Sequence, residues 1–169
     1  MNEALLWHVY RFAFPAAFAL LPGQMDSPQA RAQLLAIGLQ ESEFTARQQG
    51  GTRKKEGQGP AKSFWQFEKN GGVAELLDNA STRPYLVSVC HTLGYLTLTP
   101  SSLHESMEHN DTLACCMARL LLWIDPRLMP DSTQAAKGWQ IYLDRWRPGK
   151  PHPEKWPANF ERAWAMIRT

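Results

Sequence analysis

Along most of the chain the apolar residues recur at the three-to-four spacing of a helix, and strict alternation is scarce. The clearest segment opens at Ser27-Pro28, a cap followed by a proline at the first helical position. On a wheel of about 100° per residue, residues 28–47 place Gln33, Gln40, Glu43 and Arg47 on one arc. Leu34, Leu35, Ile37, Gly38 and Leu39 fill most of the remainder, so the pattern predicts a largely buried helix with one narrow polar stripe. Further on, Ser102 and Glu105 have capping-box spacing before Met107. Asp111 is placed to cap an apolar run over residues 113–124. Asp131 with Gln134 opens a helix through Trp139 and Tyr142, and Pro157 begins a last one carrying Phe160, Ala163 and Trp164. The best strand candidate is the short stretch 95–99. The pattern therefore predicts an all-α fold, or nearly so.

Two segments depart from this regularity. Residues 4–21 are rich in apolar side chains but are interrupted by His8, Arg11 and Pro15. A membrane span needs about 20 cleaner residues, and a signal peptide needs a basic start where Glu3 stands. The segment reads as a core helix with a break near Pro15, with no stable membrane insertion and no signal peptide. Residues 48–62 hold Gly50, Gly51, Gly57, Gly59 and Pro60 around the basic run Arg53-Lys54-Lys55, and read as a mobile polar loop.

A length of 169 residues sets the expectation of a single domain spanning the chain. Hydrophobic residues at 44% and charged residues at 20% make it globular rather than disordered. A net charge of +2 argues against a nucleic-acid partner, yet does not oppose binding to an anionic polymer. Cys90, Cys115 and Cys116 are odd in number and lack zinc-site spacing, so they read as reduced, buried thiols made in a reducing compartment. His91, His104, His109 and His152 show no ligand spacing either, and neither metal nor cofactor is expected.

Candidate chemistry centres on Glu41. Glu43 belongs to the polar stripe, but Glu41 falls in line with Leu34, Ile37 and Phe44, and Ser42 also lies on the apolar arc. Desolvation there favours the protonated carboxyl, which is the form that donates a proton to a leaving oxygen. The competing reading is a half-buried glutamate paired with an arginine or held by amides.

The run Leu34-Leu35-Ala36-Ile37-Gly38-Leu39-Gln40-Glu41-Ser42-Glu43-Phe44 resembles the catalytic helix of lytic transglycosylases and goose-type lysozymes. That family has an apolar stretch, then Gln-Glu-Ser, then an aromatic two residues on, followed some tens of residues later by Gly-Leu-Met-Gln. Ser63-Phe64-Trp65-Gln66 occupies the matching place, with a bulkier cleft floor expected from Phe64 and Trp65. The stretch Trp146-Arg147-Pro148-Gly149-Lys150-Pro151, with Trp156-Pro157 after it, is similar to phage and prophage proteins of this type.

The resemblance implies a lysozyme-like helical domain around a buried catalytic helix. It implies cleavage of peptidoglycan between N-acetylmuramic acid and N-acetylglucosamine, with Glu41 as the single acid/base. Ser42, Trp65, Gln66, Phe67, Tyr142, Trp146 and Arg147 are the expected substrate-binding residues; Gln66 either binds an N-acetyl group or holds a backbone turn, and Arg147 with Lys150 either meets stem-peptide carboxylates or forms a plain solvated turn. For the aromatic residues, Trp139 included, core packing stays open as the alternative. Tyr142 is carried over as the nearest helical tyrosine, since the family's later Ala-Tyr-Asn-like motif has no clean match. Glu56 and Glu68 are candidates for a second carboxylate of a hydrolase, or plain surface charges. The loop 48–62 would close over glycan as a lid, or serve solubility alone. Beyond peptidoglycan, other phage virion proteins are expected partners. The expected setting is synthesis in the bacterial cytoplasm, then either carriage in a virion or a role at lysis, with action in the periplasm or cell wall. A structural virion component with the same fold and a silent site is the alternative.

Overall fold

The computed structural model describes residues 1–48 and 60–169; the basic run Arg53-Lys54-Lys55, Glu56 and most of the expected lid lie outside them. The fold is mostly helical, as the apolar spacing predicts.

The N-terminal apolar run does not break at Pro15. Asn2 caps α1 (Glu3–His8), which continues through a π turn (Val9–Ala13) into α2 (Phe14–Leu20) with helical backbone angles at both junctions. Pro15 has no N–H to donate, and its ring crowds the carbonyl one turn earlier. The wider turn just before it absorbs that misfit and keeps the rod continuous. The buried face carries Leu6, Val9, Phe14, Ala17 and Phe18.

α3 (Pro28–Ser42) starts as predicted, with the Ser27 hydroxyl accepting from the Ala30 amide at 3.1 Å. Every residue from Ala32 to Leu39 is buried. Gln33, the first residue of the polar stripe, is fully buried and donates to the Gly138 carbonyl at 2.8 Å. Gln40 donates to the His152 carbonyl and accepts from Asn159. These amides tie α3 to the C-terminal third of the chain.

A two-residue antiparallel ladder follows, β1 (Ala61–Lys62) on β2 (Phe67–Glu68), with Lys62 opposite Phe67. A π turn (Lys69–Val73) leads into α4 (Ala74–Asp78), then α5 (Arg83–Thr92). Residues 95–99 form no strand. α6 (Pro100–His109) is capped by Thr99, not Ser102, because Pro100 sets the first helical position; Ser102 closes the box from the third. α7 (Asp111–Trp123) is capped by Asn110, whose Oδ1 accepts from the Leu113 amide at 2.9 Å. Asp111 is instead taken by the Arg47 guanidinium in a two-point pair at 2.7 and 2.8 Å. α8 (Ala135–Trp146) starts later than the expected opening at Asp131: Asp131 accepts from Thr133 in the preceding turn, and Gln134 stands at the helix N-cap position without a side-chain cap. α9 (Trp156–Ile167) has Pro157 in its first turn.

One contiguous apolar cluster runs from Leu6 to Met166. α3 lies within it against α9 and α7. Cys90, Cys115 and Cys116 are buried, unbridged thiols; burial pushes Cys116 up to about 12, so it is inert at neutral pH. Among the described residues, no helix is long and apolar enough to cross a membrane.

Candidate active site

The site is made where α3 stops. The helix ends at Ser42 because Glu43 (φ 50°) and Phe44 (φ 51°) adopt left-handed angles and reverse the chain. Glu43, Phe44 and Arg47 therefore do not continue the helical arcs drawn for residues 28–47. Phe44 folds back on its own helix: a Cβ on Gly38 would stand 2.3 Å from the Phe44 Cζ. Gly38 is thus the residue that lets the aromatic close over the helix end. Ser42 Oγ completes the turn, donating to the Phe64 carbonyl at 2.8 Å and accepting from the Phe44 amide at 3.2 Å. Its hydroxyl is spent on the scaffold, which corrects its expected role as a substrate contact.

The β1–β2 turn brings the second group. Ser63 (φ 66°) and Gln66 (φ 50°) take left-handed angles at its two corners. Between them Phe64 and Trp65 point into the core, not into the cleft. Trp65 has no exposed surface and donates its indole N–H to the Leu34 carbonyl at 2.9 Å. It anchors the turn to α3 and has no face to offer a sugar, so both the bulkier floor and the Trp65 contact are corrected. Gln66 does reach the cleft wall, with its amide also donating to the Ser63 carbonyl at 2.7 Å. Phe67 borders the cleft edge-on to Trp146, the ring centroids 5.8 Å apart. Trp146 is fixed by its indole N–H on the Trp65 carbonyl at 2.8 Å.

Glu41, in the last turn of α3, borders a cleft of about 630 Å³. The Tyr142 hydroxyl of α8 donates to Glu41 Oε1 at 2.7 Å. Tyr142 is itself held, stacked on Trp156 at 5.5 Å and 12° and flanked by Trp139 at 5.2 Å. Trp139 stands behind Tyr142 and not on the cleft, in keeping with its packing alternative. Burial raises the Glu41 carboxyl from the ordinary 4.5 to about 7; the Tyr142 hydrogen bond opposes the rise, and the nearby Glu68 charge adds to it. No cation pairs with Glu41 among the described residues. At neutral pH a large fraction of Glu41 is therefore a neutral acid. Burial and the Glu41 charge also push the Tyr142 phenol well above its ordinary value, so it acts only as a donor.

Glu68, from β2, lines the same cleft, as do Arg145, Arg147, Lys150 and His152. Arg147 takes the left-handed cap of α8, and its guanidinium lies 3.3 Å from Glu75. Arg145 reaches both Glu75 and Asp125, so the basic wall is braced by carboxylates on its far side. Of the expected residues, the structure gathers Glu41, Gln66, Phe67, Tyr142, Trp146 and Arg147 on one cleft and leaves Ser42 and Trp65 behind it. Sequence reasoning missed Arg145 and Gln40. Arg145 was findable, since it follows Tyr142 by three residues and so shares its helix face. Among the described residues no group of three His, Cys, Asp or Glu side chains is arranged to hold a metal.

No protein-family model, curated protein or solved structure matches this chain.

Proposed function

We propose that this chain is a muralytic enzyme that cuts the peptidoglycan glycan strand between N-acetylmuramic acid and N-acetylglucosamine, with Glu41 as acid/base. The observation that carries this reading is a carboxyl lifted to about 7 on an open cleft, with one oxygen fixed by a tyrosine. Because Tyr142 donates to Oε1, the carboxyl proton resides on Oε2, free to pass to a glycosidic oxygen. Trp146, half-buried at the cleft, offers apolar surface to a sugar ring with the buried Phe67 as its backing, and Gln66 offers an amide to an N-acetyl group. Arg147 and Lys150 suit the carboxylates of a peptide stem.

After proton transfer the N-acetyl group assists departure of the leaving sugar, as the resemblance to transglycosylases implies. Glu41, now a carboxylate, then takes a proton either from the sugar's own 6-hydroxyl, giving a 1,6-anhydro end, or from water, giving a reducing end. Glu68 on the same cleft is a candidate to position that water. The resemblance of residues 146–151 to phage proteins supports carriage in a virion and action at the periplasm or wall. The test is digestion of purified peptidoglycan by wild type and Glu41→Gln, with products identified by mass. Anhydro-muropeptides from wild type alone mark a lytic transglycosylase, and reducing ends from wild type alone mark a hydrolase. Equal release by both proteins, or none by either, ends this reading and leaves a non-catalytic virion component.

A further inference from the structure

A second groove, of about 520 Å³, opens at the opposite end of α3 from Glu41. A helix of 15 residues separates the two sites by about 20 Å. This groove has no part in the proposed cleavage, yet it holds a group that calls for a partner.

That group is Arg119 of α7. The residue is only 3% exposed, and its Nε donates to the Met25 carbonyl at 2.7 Å. Its Nη1 is buried with no acceptor among the described residues. Asp26, whose charge reaches Arg119, is held by Arg31 in two bonds of 2.6 and 2.7 Å. Burial pulls Arg119 down only to about 10, so it stays charged at neutral pH. A buried guanidinium without a carboxylate is costly and uncommon.

The start of α3 borders the same groove through Ser27 and Gln29. Pro28 has no N–H, and the Ala30 amide is spent on Ser27 Oγ. The Gln29 amide is thus the first N–H of α3 left to an outside acceptor, at the positive end of the helix dipole. Asp125 also lines the groove, but its carboxylate is occupied by the Arg127 backbone and guanidinium. The net charge presented is therefore positive. Gln24 and Arg127 also line the groove, the Arg127 guanidinium being held by Asp125 and Asp144; an apolar side is made by Trp123, whose ring lies 5.2 Å from the Arg119 guanidinium, with Met129 and Leu128. Leu128 is 82% exposed, a large apolar side chain standing at the rim in water.

We propose that this groove binds a carboxylate carried on an apolar body, such as the C-terminal end of a peptide. The carboxylate sits between Arg119 Nη1 and the start of α3, and the body lies against Trp123, Met129 and Leu128. One free guanidinium edge and one amide match a planar two-oxygen acceptor. A phosphate dianion would find a single uncompensated positive charge, which favours the carboxylate.

The probes are N-acetyl-leucine, N-acetyl-leucinamide and inorganic phosphate, titrated into the full chain while the indole N–H resonances are followed by NMR. Trp123→Phe identifies the relevant signal. The free acid is expected to bind saturably and shift Trp123, and the amide to bind about tenfold more weakly or worse. Arg119→Met is expected to abolish the response, and Leu128→Ala to weaken it a few-fold, about the effect of a lost apolar contact. Glu41→Gln should bind like wild type, which separates this site from the cleft. Leu128 is too exposed for its truncation to unfold the chain, so that variant and the acid–amide pair decide the matter even if Arg119→Met does not fold. Equal binding of acid and amide, tighter binding of phosphate than of acid, or no shift at Trp123 would each overturn the proposal.

Discussion

Glu41 and Glu43 stand two residues apart at the end of one helix and live in opposite surroundings. Glu41 lies half-buried at the cleft, touched by a phenol and, among the described residues, by no cation, and its carboxyl is raised to about 7. Glu43 caps the helix in solvent, where Lys155 and the Met1 amine each approach to 3.1 Å and hold its carboxyl below the usual range. The residue type is the same and so is the element. What separates them is the left-handed reversal at Glu43 and Phe44, which turns one carboxylate to water and leaves the other against α8. A sequence motif can thus nominate a glutamate, but burial and partners decide which chemistry it performs.

The sharpest way to break the comparison is catalytic. Glu41→Gln keeps the shape of the side chain and removes its transferable proton, so glycan release should fall by about 10²- to 10⁴-fold. Glu43→Gln, assayed beside it at the same pH, should stay within about twofold, the range expected of an exposed residue outside the site. Comparable losses in both variants would show that the two carboxylates are not functionally distinct.

Stability should also separate them, and with opposite sign. Glu41 has a folded value above its unfolded one, so the native state holds the proton longer. Stability is then unaffected below about pH 4.5 and falls as pH rises towards 7. The rise corresponds to at most about 3 kcal/mol. Glu41→Gln should therefore melt higher than wild type at pH 8 and lose this dependence. Glu43 contributes in the other direction: its small stabilisation is present above the ordinary carboxylate range and lost as pH falls through its lowered value. As an exposed pair it is worth about 0.5 kcal/mol or less, so Glu43→Gln should be neutral or slightly destabilising at pH 8. Thermal melts from about pH 4 to about pH 9 test both signs in one series.

The reversal itself can be attacked through Gly38. Alanine there puts a methyl into the Phe44 ring, which is fully buried and packed against Phe64 and Trp65. The expected cost is about 1–3 kcal/mol. It should come with partial loss of activity, because the Phe44 amide and the Phe64 carbonyl both depend on Ser42 at this corner. An unchanged melting temperature would mean that the ring is not what closes the helix end.

The start of α3 was legible because its signals are local: a serine cap and a proline next to a dense apolar run. Its end was not. Residues 43–47 keep a helical pattern on paper, and only the long-range closure of Phe44 on Gly38 and of Ser42 on Phe64 overrides it. The same limit applies to Trp65. Composition offers an aromatic for sugar stacking, but the left-handed corner at Ser63 turns it inward to Leu34. Caps moved by one residue or more wherever a neighbouring proline or asparagine competed, as at Thr99 and Asn110. Glu41 was nominated by a pattern that extends too far, through Phe44, and its hydrogen-bond partner Tyr142 only by the resemblance. Their 2.7 Å hydrogen bond joins residues 101 positions apart, beyond the reach of any local rule.

The finest adjustment of Glu41 comes from its two polar neighbours, which pull in opposite directions. Tyr142 stabilises the carboxylate by donating to it, and Glu68 disfavours the carboxylate by repulsion; of the two, Tyr142 has the larger influence. If Glu41 is the acid, activity declines as pH passes its value, and the position of that decline reports it. Tyr142→Phe should move the decline to higher pH, and Glu68→Gln should move it to lower pH by a smaller amount, each by less than about 1.4 kcal/mol, or one pH unit. A double variant should fall between them. The split also separates roles: a Glu68 that only supplies field shifts the profile and leaves the plateau nearly intact. A Glu68 that positions the attacking water lowers the plateau itself, and reducing-end products should then disappear together with it.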